Sequence, residues 1–171
     1  ASAMTRIMGS VLLGRILPEW GGDTVWANME MAYERLPDDT KEQIRGRYAV
    51  HSYVKAFGRA MTDEERAKAL EEFPDQKHPI VRTHPVTGKK GLFINRVFTL
   101  TIDGMTPEES RPLRRRLYEQ ASLPELQVRF RWRPGSLAQW DNRITQHYAV
   151  PDHGGQNRRM ERVTLVGERP F

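Results

Sequence analysis

Val128, Phe130 and Trp132 alternate with Arg129, Arg131 and Arg133. A two-residue period gives one apolar and one charged face only when the chain is extended, so this segment predicts a half-buried antiparallel strand with an arginine face. Pro134, Gly135 and Ser136 supply turn chemistry, and Leu137 to Asp141 reads as the next strand. Val11 to Leu17 is a further apolar run, and Leu92 to Ile102 is apolar and β-branched. Strands therefore dominate the second half of the chain, with helices inserted between them.

The helices are marked by their ends. Met29, Ala32, Tyr33 and Leu36 have helical spacing within Ala27 to Leu36, Pro37 stops that segment, and a short helix is expected after Asp38. Thr62 with Glu65 forms a capping box for a helix to about Phe73, and Thr106, Pro107 and Glu109 do the same for a helix to about Ala121. Gly21, Gly22 and Asp23 turn the chain into Thr24, Val25 and Trp26, where Thr24 and Trp26 share a face if the segment is extended. Ala1 to Met8 carries no clear pattern. No repeat or linker divides residues 1–171, which are read as one domain, mainly β with helical insertions, in a β-sandwich or jelly-roll arrangement.

Composition narrows the chemistry. With no cysteine, a metal here must be held by His, Asp, Glu or water, which favours hard oxygen and nitrogen coordination. No run reaches the roughly 18 apolar residues of a membrane span, and Ala1 to Gly9 lacks the form of a secretory signal, so the expected location is cytoplasmic. The net charge of +5 is spread out. Its densest cluster, Arg111 and Arg114 to Arg116, is interleaved with Glu108, Glu109 and Glu119, a solvated helix face rather than a phosphate track, and nucleic acid is not expected as a partner.

His147 lies in a strand-like segment, and Arg158 and Arg162 share strand parity, roughly 13 Å apart at about 3.3 Å per residue. One imidazole and two guanidinium groups suit a metal and a small dianion. A hydrogen-bonding core histidine and an exposed basic strand account for the same residues, and both readings stay open on residues alone. Asp141 either orients a neighbour or caps a turn. His51, His78, His84 and His153 receive no catalytic role.

Longer motifs add context. WDNRITQHYA at Trp140 to Ala149, followed by Arg158 and Arg162, resembles the C-terminal signature of the taurine dioxygenase (TauD/TfdA) family of iron(II)- and 2-oxoglutarate-dependent oxygenases. GGDTVW at Gly21 to Trp26, HPIVRTHPVTGKKGLFIN at His78 to Asn95, and Phe98 with Thr99 agree in the same order. The resemblance implies a double-stranded β-helix (jelly roll). It further implies a homo-oligomer that uses Fe(II), O2 and the co-substrate 2-oxoglutarate to hydroxylate a small anionic organic substrate.

By that resemblance His147 is the distal histidine of a two-histidine, one-carboxylate iron triad. Thr24 and Arg158 hold the far carboxylate of 2-oxoglutarate, and Arg162 lies near its iron-end carboxylate and meets an anionic substrate. Phe57 and Phe98 line the substrate pocket, although ordinary core packing explains them equally. The expected substrate is a sulfonate such as taurine, with release of sulfite. An alkyl sulfate or a phenoxyalkanoate is the alternative within the family, and a non-catalytic β-sandwich that binds anions or nucleic acid is the alternative outside it.

The family's other two ligands form a His-x-carboxylate pair shortly before the Gly-Gly-Asp-Thr segment, and no His-x-Asp or His-x-Glu occurs in this chain. That position falls at or just before Ala1. The expectation is that the chain is the C-terminal portion of a longer enzyme and is inactive alone. The competing reading is a degenerate relative that no longer binds iron.

Overall fold

The computed structural model describes residues 7–167 of the chain. Residues 1–6, most of the unpatterned Ala1 to Met8 segment, lie outside them. Three antiparallel three-stranded sheets and a two-stranded ribbon make the architecture mainly β with helices between strands. Among the described residues no helix is long and apolar enough to cross a membrane.

Strand β1 (Ile7–Ile16) is central in the first sheet, between β9 (Leu137–Asp141) and the edge strand β11 (Arg159–Val166). Strand β2 (Thr24–Asn28) is central in the second, between β8 (Gln127–Phe130) and β10 (Thr145–Ala149). The third sheet places β3 (Tyr48–His51) between β4 (Gln76–Pro79) and β7 (Thr99–Ile102), and β5 (Val81–Thr83) pairs with β6 (Lys90–Leu92). Each central strand thus joins segments far apart in sequence.

Helices begin where the capping chemistry dictates. Both predicted capping boxes form, Thr62 with Glu65 before α4 (Asp63–Glu72) and Thr106 with Glu109 before α5 (Pro107–Gln120). The expected Ala27 to Leu36 helix is shorter: Ala27 finishes β2, and Asn28 caps α1 (Met29–Glu34) by accepting from the Glu30 and Met31 N–H groups. The sheet ladder holds Ala27 more effectively than helix propensity could. The predicted short helix is α2 (Asp38–Ile44), and α3 (Tyr53–Phe57) starts from a Ser52 cap.

The core lies between α1, α5 and the third sheet, where Met29, Ala32, Ile44, Ala49, Ile80, Ile102 and Leu117 are almost wholly buried. Two predicted strands are corrected. Leu92 to Ile102 is interrupted at residues 93–98 by a turn, because the Asn95 carboxamide accepts from the Phe98 N–H (2.8 Å) and the Thr99 hydroxyl accepts from the Asn95 N–H (3.1 Å). Strand β8 stops at Phe130, and although Trp132 is buried, Val128 is 66% exposed.

Candidate functional site

The register of the second sheet assembles the site. His147 pairs with Trp26, and Ala149 with Thr24. Directly paired residues of an antiparallel ladder share a face, as do residues two apart, so His147, Trp26 and Thr24 project to the same side. Two residues along a strand span roughly 6.6 Å, close to the length of a five-carbon dicarboxylate.

His147 opens onto a cavity of about 1090 Å³ that Arg162 also lines. The Trp140 ring packs 5.0 Å from the imidazole. Surrounding protein, and secondly the Arg162 charge, hold the His147 pKa below the usual histidine value, so the ring is neutral at pH 7 with a nitrogen lone pair available. Arg162 is itself fixed: its Nη2 donates to Ser10 Oγ (2.9 Å) and its guanidinium lies over Trp140 (5.8 Å). Asn142 Nδ2 donates to the same serine oxygen (2.8 Å) and accepts the Trp140 indole N–H through Oδ1 (2.8 Å).

Thr24 and Arg158 form the second part. Thr24 is only 2% exposed, and its hydroxyl oxygen accepts the Trp132 indole N–H (3.0 Å). Arg158 precedes β11 instead of lying within it, so the strand parity inferred for Arg158 and Arg162 does not describe both; the register of β1 with β11 also shifts at this end, between Gly14 and Ile16. Arg158 Nε donates to the Gly22 carbonyl (3.0 Å), while Nη2 is buried without a partner among the described residues. A buried unpaired guanidinium nitrogen is costly, and an anion resolves it. Neither Thr24 nor Arg158 lines the large cavity, which is reached by the neighbouring Val25.

Aromatic side chains form part of the cavity lining. Phe57 ends α3 and Phe98 sits in the 93–98 turn, with ring centroids 5.7 Å apart. Phe57 is 49% exposed, so ordinary core packing does not explain it. Tyr53 extends the wall, 4.9 Å from Phe57 and 4.7 Å from Phe73. The turn is held by Lys55, whose ammonium donates to the Arg96 and Val97 carbonyls, and by Ser52, whose N–H donates to the Phe98 carbonyl (2.9 Å). Gln146, next to His147, ties the same region to β10 through its amide and the Ile94 carbonyl (2.7 Å).

Three residues not predicted as site residues also line the cavity: His51, His78 and Arg82. The two imidazoles lie 5.1 Å apart, and Arg82 stacks over Phe93 at 5.4 Å. Burial, then the neighbouring His78 and Lys55, push the His51 pKa down to about 3. The period-two pattern is too short in β3 and β4 for the sequence to mark these histidines as inward. Asp141 has both roles considered for it: it accepts from the Arg143 N–H and side chain, and His84 Nε2 lies 3.0 Å from its Oδ2. His84 Nδ1 accepts the Val86 and Thr87 N–H groups, which places the ring proton on Nε2, toward Asp141.

The described residues supply one imidazole at this centre, and among them no group of three His, Cys, Asp or Glu side chains could hold a metal ion. They do not by themselves fit an iron site. The Thr24 hydroxyl and the Arg158 guanidinium have the chemistry to bind a carboxylate.

Comparison with known proteins gives a consistent picture. The family model for taurine catabolism dioxygenase TauD, TfdA family matches residues 5–164. An alkylsulfatase of Acinetobacter baylyi is 41% identical over 93% of this chain and 52% of its own length. An alpha-ketoglutarate-dependent sulfate ester dioxygenase of Pseudomonas putida is 40% identical over 94% of this chain and 56% of its own. The crystal structure of a taurine dioxygenase from Burkholderia xenovorans superimposes with a TM-score of 0.83 at 37% identity, covering 99% of this chain and 56% of that one. The structure of AAD-2 in complex with Mn(II) and N-oxalylglycine gives 0.87 at 33% identity, covering 99% and 68%. The chain therefore spans about half the length of the relatives it matches by sequence.

Proposed function

The chain belongs to the TauD/TfdA dioxygenase family, and from that premise we propose that its whole protein is an iron(II)- and 2-oxoglutarate-dependent dioxygenase acting on an organic anion with an apolar body. The observation that carries the reading is the buried Arg158 Nη2, without a partner among the described residues, on a side chain held at Gly22 two residues before Thr24, which lies one 2-oxoglutarate length along the sheet from the neutral His147. In this reading the β11-β1-β9 and β10-β2-β8 sheets are the two faces of a double-stranded β-helix.

The roles of this chain's residues follow from their chemistry. Arg158 and the Thr24 hydroxyl bind the far carboxylate of 2-oxoglutarate, a charge-assisted contact shielded from water. His147 offers its lone pair to iron, and Arg162, braced by Ser10 and Trp140, meets the negative charge of co-substrate or substrate. When bound, iron with 2-oxoglutarate supplies oxidative decarboxylation to succinate and carbon dioxide, coupled to hydroxylation of a substrate C–H bond. On a carbon bearing a sulfate ester, the hydroxylated product collapses to an aldehyde and hydrogen sulfate.

The lining favours an alkyl sulfate over the taurine first expected from sequence. No carboxylate occurs among the described lining residues, and although Arg129 and Arg143 are already ion-paired with aspartates, Arg162 remains to meet an anion and the wall offers no counter-charge to an ammonium group. Tyr53, Phe57, Phe73 and Phe98 offer apolar area for an alkyl or aryl body. A small sulfonate is the second reading, supported by the likeness to the taurine dioxygenase structure.

The test uses the full-length gene product. Mixed with iron(II) and 2-oxoglutarate without oxygen, it should develop a visible charge-transfer absorption, and His147→Ala should abolish it. A colourless mixture with the parent protein overturns the proposal. With oxygen admitted, sulfate release from a medium-chain alkyl sulfate should exceed sulfite release from taurine.

A further inference from the structure

The co-substrate arginine does not stand alone. Its Nε donates to the Gly22 carbonyl, and the Gly22 N–H donates to Asp152 Oδ1 (2.8 Å). Asp152 Oδ2 accepts from Arg129 Nη2 (2.9 Å), while Arg129 Nε donates to Asp23 Oδ2 (2.6 Å). One guanidinium on β8 therefore spans two carboxylates on two loops, and Gly22 is held between Asp152 on one side and Arg158 on the other.

The glycines make this closeness physically available. Gly21 and Gly22 have φ of 71° and 69°, and a Cβ at Gly21 would lie 2.6 Å from the Asp152 carbonyl oxygen. A Cβ at Gly22 would lie 3.0 Å from Arg158 Cδ. Only glycine lets the backbone pass between these two side chains.

We propose that Asp152 and Arg129 are positioning residues that fix Gly22, so that its carbonyl holds the Arg158 guanidinium ready for the far carboxylate of 2-oxoglutarate. This rests on the assignment of Arg158 to that carboxylate. An arginine free to sample rotamers loses that freedom on binding, whereas one already held by Nε presents its remaining nitrogens without that cost. Arg129 is 55% exposed, and exposed ion pairs contribute little to stability. Its double bridge is explained better by loop geometry than by holding the fold.

The experiment compares dissociation constants of 2-oxoglutarate and of pyruvate, which has the 2-oxo acid but no far carboxylate, for the full-length gene product and its variants. Asp152→Ala should weaken 2-oxoglutarate about tenfold and change pyruvate by less than about twofold, since only the far carboxylate is affected. Asp152→Asn keeps an oxygen for the Gly22 N–H and should recover part of the loss. Arg129→Gln should reproduce the selective loss should Asp152→Ala fail to fold. Unchanged 2-oxoglutarate affinity, or equal weakening of both ligands, overturns the positioning role. Arg158→Ala separates the two layers: if it binds 2-oxoglutarate like the parent, the assignment of Arg158 is wrong, and if it alone loses affinity, only the positioning role fails.

Discussion

The indole N–H of Trp132 donates to the buried hydroxyl oxygen of Thr24 at 3.0 Å, joining the end of the arginine-faced segment to the Gly-Gly-Asp-Thr motif 108 residues earlier. That contact leaves the Thr24 proton free to point elsewhere. Replacing Trp132 by Phe should destabilise the protein by about 1 kcal/mol for the lost hydrogen bond, with a further loss from the smaller ring. Urea unfolding checks it; an unchanged midpoint rules out the contact.

Gly21→Ala should cost more than an ordinary surface change, about 1–3 kcal/mol, because a positive φ and a Cβ 2.6 Å from the Asp152 carbonyl oxygen coincide. The same variant should lower 2-oxoglutarate affinity. Calorimetry on a folded preparation separates the two effects.

Acid should weaken the fold before most carboxylates titrate. The His51 pKa, about 3 in the folded protein, lies below its unfolded value of 6.5, so the unfolded chain binds more protons between those values and stability falls as pH drops through that window. The slope contributed is up to about 1.4 kcal/mol per pH unit. His51→Gln, measured by denaturant unfolding from pH 7 to 4, should flatten the dependence. An identical slope in parent and variant would show that His51 takes up its proton in the folded state.

Asp141→Ala should destabilise by about 2 kcal/mol, since it leaves Arg143 and the buried His84 without their shared carboxylate. Burial works against ionisation of Asp141, yet hydrogen bonds from Arg143 and His84 outweigh it and bring its pKa to about 2. Its contribution is therefore retained above pH 3.8 and lost as pH falls toward 2. Thermal melts of parent and variant should converge only in strong acid.

Phe57→Ala and Phe98→Ala should raise the KM for an alkyl sulfate severalfold while the 2-oxoglutarate dissociation constant stays unchanged, because both rings line the cavity, which Thr24 and Arg158 do not. A parallel loss for taurine would favour a shared small-anion site, and no loss for either substrate would remove both residues from the pocket.

Much of the local structure was legible in the residues. Capping boxes at Thr62 and Thr106 start their helices where read, because a cap is a contact between residues three apart and needs nothing from the rest of the chain. Strand β9 follows its turn as expected. Val128 misled because alternation specifies which side chains share a face, whereas burial depends on what packs over that face. The Leu92 to Ile102 run concealed a turn because the Asn95 side chain competes for the backbone there.

By itself the sequence determined the mainly β character, the starts of the two helices with capping boxes and, through ordered motifs, the family to which residues 5–164 belong. Only tertiary structure decided that His147 and Thr24 share a sheet face, that His51 and His78 line the cavity, and that Arg129 bridges Asp23 and Asp152. Each of these depends on strand register or on contacts across long stretches of chain, 130 residues between Gly22 and Asp152, and local patterns of charge and hydrophobicity do not encode such pairings.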